Sequence, residues 1–217
     1  MFTRLILLVI VLGTCIACQK HWALEVKQVG NREVELYLNR PASDSFNLRG
    51  MTLSWEGHAA AVGSAPGPAV APGNRVDLSV LGANLNGGQF LIVWEDRNYT
   101  DPPIAARFSR GQLGYVAGIK VPVGFFDMID QVPVIVRVSG SRTDGLIVTH
   151  KVSDMVCFGS PATDRPSDCA SFTTTGLIPN PTGSGGPQRK WSGNAPLDTD
   201  SEDDWKFGVN AWGVPTP

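Results

Sequence analysis

The sequence predicts an all-β protein, built as an antiparallel sandwich or barrel. Apolar residues recur with period two from Ala23 onward, which is typical of half-buried strands. Turn residues bound these short runs, and 24 glycines and 16 prolines predict many turns. No segment shows a long helical stripe, so the predicted strands follow one another without intervening helices. That order favours antiparallel sheets over a parallel α/β fold.

The predicted strands are short and follow closely along the chain. In order they cover residues 24–29, 34–38, 76–80, 90–94, 134–138, 146–149 and 152–158. Residues 134–138 and 146–149 are expected to form a hairpin, with residues 139–145 as its loop, where Gly140 and Gly145 can supply positive φ angles.

Two stretches are expected to be long loops, one near residues 59–74 and the other near 96–132. The first is rich in Ala, Gly and Pro, and the second mixes prolines and charges with scattered apolar residues. Loops of this length often carry function, but they can equally be surface excursions with short strands of their own. Residues 179–187 have the composition of a spacer.

The N-terminus has the charged-then-apolar order of a secretory signal. Arg4 is followed by an unbroken aliphatic run over residues 5–12, and the apolar stretch ends near Cys18. A transmembrane anchor is the alternative, but the stretch is shorter than the roughly 20 residues that a spanning helix needs. We therefore expect residues 1–17 to be a signal peptide and the protein to be exported.

The end of this apolar stretch resembles a bacterial lipobox. In Cys15-Ile16-Ala17-Cys18 a small residue precedes Cys18, whereas the alternative lipidation site, Cys15, is preceded by Thr14. Lipidation of Cys18 would also remove an exposed thiol from an oxidising compartment. The expected organisation is a lipidated Cys18, a tether over residues 18–22 and a β-sandwich over 23–217. The membrane is then a partner through the lipid, and the protein is anchored to the bacterial cell envelope.

Four blocks of sequence occur in order along the chain. They are 33–37 with 46–54, then 87–93, then 152–159, and a closing block of 188–189, 198–200, 203–205 and 215–217. Together they resemble the lamin-tail domain family, which is found in nuclear lamins and in many exported bacterial proteins. The resemblance implies an immunoglobulin-like antiparallel β-sandwich and a non-catalytic binding or scaffolding role. The residues in 59–74 and 96–132 depart from the family.

Two groups of residues could carry metal or redox chemistry. Cys157 and Cys169 are twelve positions apart, which predicts a disulfide in an oxidising compartment, because no further ligand completes a tetrahedral metal set. Several carboxylates form a weak calcium candidate. These are Asp198, Asp200, Glu202, Asp203 and Asp204. The run lacks the EF-hand pattern, so structural or solvated carboxylates are the preferred interpretation.

No catalytic motif accompanies the three histidines, His21, His58 and His150, and no cofactor is expected. Trp191 and Trp212 lie in polar stretches and are candidate binding residues for a sugar or a peptide. A formal net charge of -2 argues against nucleic acid as a partner. We expect a binding module for a protein or envelope polymer; the alternative is a hydrolase or hydrolase accessory that acts on an extracellular polymer.

Overall fold

The structure is a computed structural model of the 217-residue chain. It describes residues 24–57, 74–109, 115–127, 134–144, 147–158, 181–182, 185–193, 195–197, 202–209 and 212. The expected signal peptide, Cys15, Cys18, the tether and nearly all of the expected loop at 59–74 lie outside these residues. Of the described residues, none belongs to a helix long and apolar enough to cross a membrane.

The described residues form an all-β fold with two main sheets, as predicted. The seven-stranded sheet has the order β15-β12-β1-β2-β7-β9-β8. Its strands are β1 Leu24–Val29, β2 Glu33–Leu38, β7 Phe90–Glu95, β8 Ile104–Ser109, β9 Tyr115–Val121, β12 Gly185–Arg189 and β15 Trp205–Val209. The four-stranded sheet has the order β11-β10-β4-β5. Its strands are β4 Met51–Gly57, β5 Asn74–Asp77, β10 Val134–Asp144 and β11 Ile147–Phe158.

Smaller elements lie at the rims of the two sheets. β3 Ser45–Phe46 pairs with β6 Leu85–Asn86, and β13 Trp191–Ser192 pairs with β14 Ala195–Pro196. Two short 3₁₀ helices cover Leu78–Leu81 and Glu202–Asp204.

One hydrophobic core lies between the two sheets. Alternate residues of β2 and β7, such as Leu36 and Val93, face residues of β4 and β10, such as Leu53 and Val136, and all four are fully buried. Trp55 closes one end of the core, with its ring 4.9 Å from that of Phe126. Burial of these side chains supplies the main driving force for the two-sheet packing.

The segment 96–132, expected to be either a long loop or a surface excursion with short strands of its own, contains two strands, and one of them departs from the expected antiparallel pairing. β8 and β9 both come from this segment, and β9 pairs with β7 in parallel. Ile119 and Val121 face the core, while Gly118 and Lys120 alternate with them on the other side. The alternation of apolar residues in β9 is short and is interrupted by a glycine and a charge, so the sequence pattern alone does not indicate a regular strand there.

The predicted hairpin forms, but its loop is shorter than expected. β10 and β11 pair as far as Asp144 and Ile147, so that only residues 145 and 146 lie between the paired positions. The polar residues at 139–144 are typical of a loop, but their backbone pairs with β11 along the full length of the hairpin. The register shifts at Val138 and Ser139, as in a β-bulge.

Candidate functional site

The face of the seven-stranded sheet that points away from the core carries a row of aromatic residues. We call it the outer aromatic band, and its members are Tyr37, Phe90, Trp94, Tyr99, Trp191 and Trp212. Neighbouring strands align these side chains, since Tyr37 pairs with Phe90 on β7, and Trp94 pairs with Lys120 on β9. Phe90 and Trp94 are four residues apart on one strand, which corresponds to a separation of about 13 Å.

One end of the band is a contact between three rings. The ring centroid of Tyr37 lies 5.1 Å from that of Phe90 and 4.9 Å from that of Trp191, which meets it edge to face. Trp191 is half-buried, whereas Tyr37 is buried. Trp191, which the sequence predicts as a candidate binding residue, therefore lies in a cluster with Tyr37 and Phe90. The sequence does not mark these two aromatic residues as candidates.

Polar groups surround this end of the band. Asn39 donates from Nδ2 to Oε1 of Glu25 over 2.8 Å. Burial, followed by the nearby charge of Glu25, raises the pKa of the Tyr37 phenol. The indole N–H of Trp191 is shielded from solvent and makes no hydrogen bond within the described residues.

Trp212 covers the middle of the band. It is only 4% exposed and packs against Ile92 and Trp94. The structure therefore buries this candidate binding residue, so a ligand could contact the indole only if Trp212 moved out of its buried position. Its contacts cover the central strands of the sheet.

The other end of the band is built by the segment that was expected to be a loop. The ammonium group of Lys120 lies 4.1 Å from the ring centroid of Tyr99, within the range of a cation–π interaction. Lys120 also lies 3.6 Å from a carboxylate oxygen of Asp96. Ile104 pairs with Lys120 from the next strand and is 44% exposed. This end therefore offers an apolar and cationic surface to solvent.

A buried ion pair lies on the same face of the sheet. Lys27 Nζ is 2.8 Å from a carboxylate oxygen of Glu35, and neither side chain is exposed. Lys27 occupies an irregularity between Val26 and Gln28 of β1, and its ammonium group is 5.6 Å from the Phe90 ring. Desolvation lowers the pKa of Lys27, although Glu35 acts in the opposite direction. The alternation of apolar and polar residues in β1 and β2 predicts that Lys27 and Glu35 face solvent. The sequence pattern therefore does not reveal that they form a buried ion pair.

A second buried charge network joins the two sheets, and we call it the Arg189 clasp. Arg189 donates from Nη2 to Asp154 Oδ2 over 2.5 Å and from Nε to the Val26 carbonyl over 3.0 Å. The same Asp154 oxygen accepts from the Val26 amide over 2.6 Å. Arg189 also stacks over Trp205, at 4.6 Å from the ring centroid. Residues from two blocks of the lamin-tail resemblance thus lie in one structural network.

The calcium candidate meets the clasp at Asp204. This carboxylate is buried and lies 3.8 Å from Nη1 of Arg189. Glu202 begins a 3₁₀ helix, Asp203 is exposed, and Asp198 and Asp200 lie outside the described residues. Within the part of the chain that the structure describes, no three His, Cys, Asp or Glu side chains are grouped to hold a metal ion.

Cys157 is fully buried on β11, where it pairs with Ile135 of β10. Cys169 lies outside the described residues, so the disulfide stays a prediction. His150 is also on β11, while His21 and His58 lie outside the described ranges.

Comparison of the chain with protein-family models, curated proteins and solved structures finds no match. The function is therefore argued from the residues and their geometry. Tyr37, Phe90, Trp94 and Tyr99 were not singled out from the sequence. An aromatic residue at the outward position of an alternating strand, as in Glu33-Val34-Glu35-Leu36-Tyr37, is the signal that could have found the first of them.

Proposed function

We propose that the protein is an exported, lipid-anchored module of lamin-tail type that binds another protein or an envelope polymer and performs no chemistry itself. The outer aromatic band is the binding surface in this proposal. Trp and Tyr side chains are enriched among the residues that contribute most to binding at protein interfaces. The exposed Ile104 next to Lys120 extends the same surface.

The observation that carries this proposal is the contact of Tyr99 with Lys120 beside Trp94 and Ile104. A cation over an aromatic ring is a favourable contact at a surface, and beside exposed apolar surface it presents both an aromatic and a cationic group to a ligand. The charges nearest the band's other end are already engaged within the fold, because Lys27 pairs with Glu35 and Glu25 accepts from Asn39.

Cross-linking in intact cells, followed by capture of the full chain, tests the binding role. Tyr99→Ala and Ile104→Ala should each reduce recovery of the cross-linked partner by at least tenfold, which corresponds to about 1.4 kcal/mol. Val152→Ala is the matched control, because Val152 is also 44% exposed but lies on β11 of the other sheet. Equal recovery from all three variants would exclude the band as the binding surface. Degradation of the captured polymer by the purified protein would contradict the absence of chemistry.

Metabolic labelling with a radioactive fatty acid tests the anchor. Cys18→Ser should abolish incorporation of the fatty acid and release the protein from membranes. Cys15→Ser should still incorporate the fatty acid and stay attached to membranes. Labelling that persists in Cys18→Ser and disappears in Cys15→Ser would move the lipid to the alternative cysteine.

A further inference from the structure

The strand β15 forms an open edge of the seven-stranded sheet. It pairs with β12 on one side, and no other strand of the described ranges pairs with its second side. Two of its apolar side chains face solvent, since Phe207 is 44% exposed and Val209 is 77% exposed. Exposed edges with apolar side chains are templates for pairing with another strand.

A proline fixes the direction of the backbone groups on this edge. Phe207 pairs with Pro187, which has no N–H to donate, so the two residues cannot exchange the pair of bonds of a hydrogen-bonded position. They must form a non-hydrogen-bonded pair. The N–H and C=O of Phe207 then point away from β12 toward the open edge, as do those of Trp205 and the N–H of Val209 in the same alternation. The Val209 carbonyl accepts a hydrogen bond from Nε2 of Gln188.

The sequence of β15 is complementary to itself about Phe207. In a two-fold antiparallel pairing centred there, Phe207 lies opposite its own copy, and Trp205 lies opposite Val209. These positions are the ones whose backbone groups face outward, so the pairing makes about four backbone hydrogen bonds besides any to the Val209 carbonyls. On the other face, Lys206 lies opposite Gly208, which keeps like charges from meeting directly.

We propose that β15 binds β15 of a second copy of this chain, so that the seven-stranded sheets of two molecules join edge to edge. The side-chain register favours a second copy over a foreign peptide, because both exposed apolar residues lie opposite an apolar residue of the same sequence and Lys206 lies opposite Gly208 rather than another charge. The pairing is separate from the outer aromatic band and does not depend on the proposed function.

Sedimentation of the purified full chain in detergent, over a range of protein concentrations, tests this pairing. The wild-type chain should pass from monomer to dimer as its concentration rises. Phe207→Lys should raise the dissociation constant by at least about tenfold, because it places two ammonium groups at the two-fold axis. Val152→Lys, at a residue with the same 44% exposure on an edge strand of the other sheet, is the matched control and should leave the dimer unchanged.

A mixture of variants gives the sharper result. Phe207→Lys and Phe207→Glu chains should each be monomeric alone but should form a mixed dimer together, since opposite charges then meet at the axis. If either variant fails to fold, oxidation of Phe207→Cys should give a cross-linked dimer that Val152→Cys does not give. A wild-type chain that stays monomeric throughout, or a dimer that Phe207→Lys leaves intact, would overturn the proposal.

Discussion

The ion pair of Lys27 and Glu35 is the clearest case in which a single residue's environment departs from its sequence pattern. Both side chains are fully buried, and their separation is 2.8 Å. Such a pair adds little net stability, because desolvation offsets the attraction, but removing one partner leaves the other charge without compensation. We therefore expect the two positions to be strongly coupled.

Lys27→Met alone should lower the free energy of unfolding by about 3–5 kcal/mol, and Lys27→Met with Glu35→Leu should restore it to within about 1 kcal/mol of wild type. Urea unfolding followed by tryptophan fluorescence measures both. Lys120→Met is the control, because Lys120 is partly exposed and its pair with Asp96 is expected to contribute less than about 1 kcal/mol. A double variant as unstable as the single one would contradict the coupling.

Tyr37 gives the fold a pH dependence of definite sign. Burial, and then the charge of Glu25, raises the pKa of Tyr37 above its ordinary value of 10.0. The stability that this group contributes is therefore complete below pH 10 and is lost as the pH rises through the folded-state pKa. Tyr37→Phe should flatten the alkaline decline of the unfolding free energy. The lowered pKa of Lys27 changes the unfolding free energy with pH in the opposite direction, so wild type and Tyr37→Phe are compared with Lys27 intact in both. An unchanged alkaline profile in Tyr37→Phe would refute the prediction.

Asp154 holds the Arg189 clasp together through three contacts. Its carboxylate accepts from Val26, Arg189 and the Met155 amide. Asp154→Ala should cost about 3–5 kcal/mol of unfolding free energy, because it removes the closest carboxylate partner of a buried guanidinium and leaves only the more distant Asp204. Asp203→Ala, at an exposed carboxylate, should stay within about 0.5 kcal/mol of wild type. Equal losses in thermal or urea unfolding would show that the clasp does not stabilise the fold.

At the scale of elements, the period-two pattern found the strands whose alternation is long and uninterrupted. β2 alternates Val34, Leu36 and Leu38 toward the core, and it lies where the sequence predicts. The pattern does not locate β9, because the parallel pairing of β9 with β7 depends on contacts with residues distant in sequence, and β8 pairs in turn with β9. The same reason hid the outer aromatic band, whose members come from separate elements.

Gly118 shows what this parallel pairing requires. A Cβ at this position would lie 2.2 Å from the Ile92 carbonyl oxygen and 3.0 Å from the Trp94 ring. Gly118→Ala should cost about 3 kcal/mol and shift the tryptophan fluorescence, because β9 must move away from β7. Gly82→Ala, where φ is positive but no atom lies within 4 Å, should cost about 1 kcal/mol with unchanged fluorescence. Similar spectra for the two variants would contradict the close approach.

At the scale of the whole molecule, the sequence predicts one core between sheets but cannot predict how the outer face is covered. β1 was expected to be half-buried, yet all six of its residues are buried because both of its faces are covered. On the outer face of the same sheet, Trp191 packs on Tyr37 of β2 and Trp212 packs on Ile92 of β7, in each case more than 100 positions earlier in the chain. Contacts over such separations leave no periodic signal in either segment.

The expected disulfide between Cys157 and Cys169 would close a loop of the chain beyond β11. Cys157 lies in the core between Val156 and Phe158, all fully buried. A bond to Cys169 closes a short loop and should add about 3 kcal/mol by restricting the unfolded chain. Reductant should therefore lower the melting temperature of the wild-type protein, and mass spectrometry of unreduced peptides should recover the two cysteines together.

The variant with Cys157→Ala and Cys169→Ala supplies the control for this measurement. It should melt at a lower temperature than wild type, and its melting temperature should not respond to reductant, because the bond that reductant breaks is already absent. Uptake of a thiol-reactive label by both cysteines in the unreduced, denatured wild-type protein would refute the disulfide. In that case the buried Cys157 would stabilise the fold through packing alone, as a small apolar side chain.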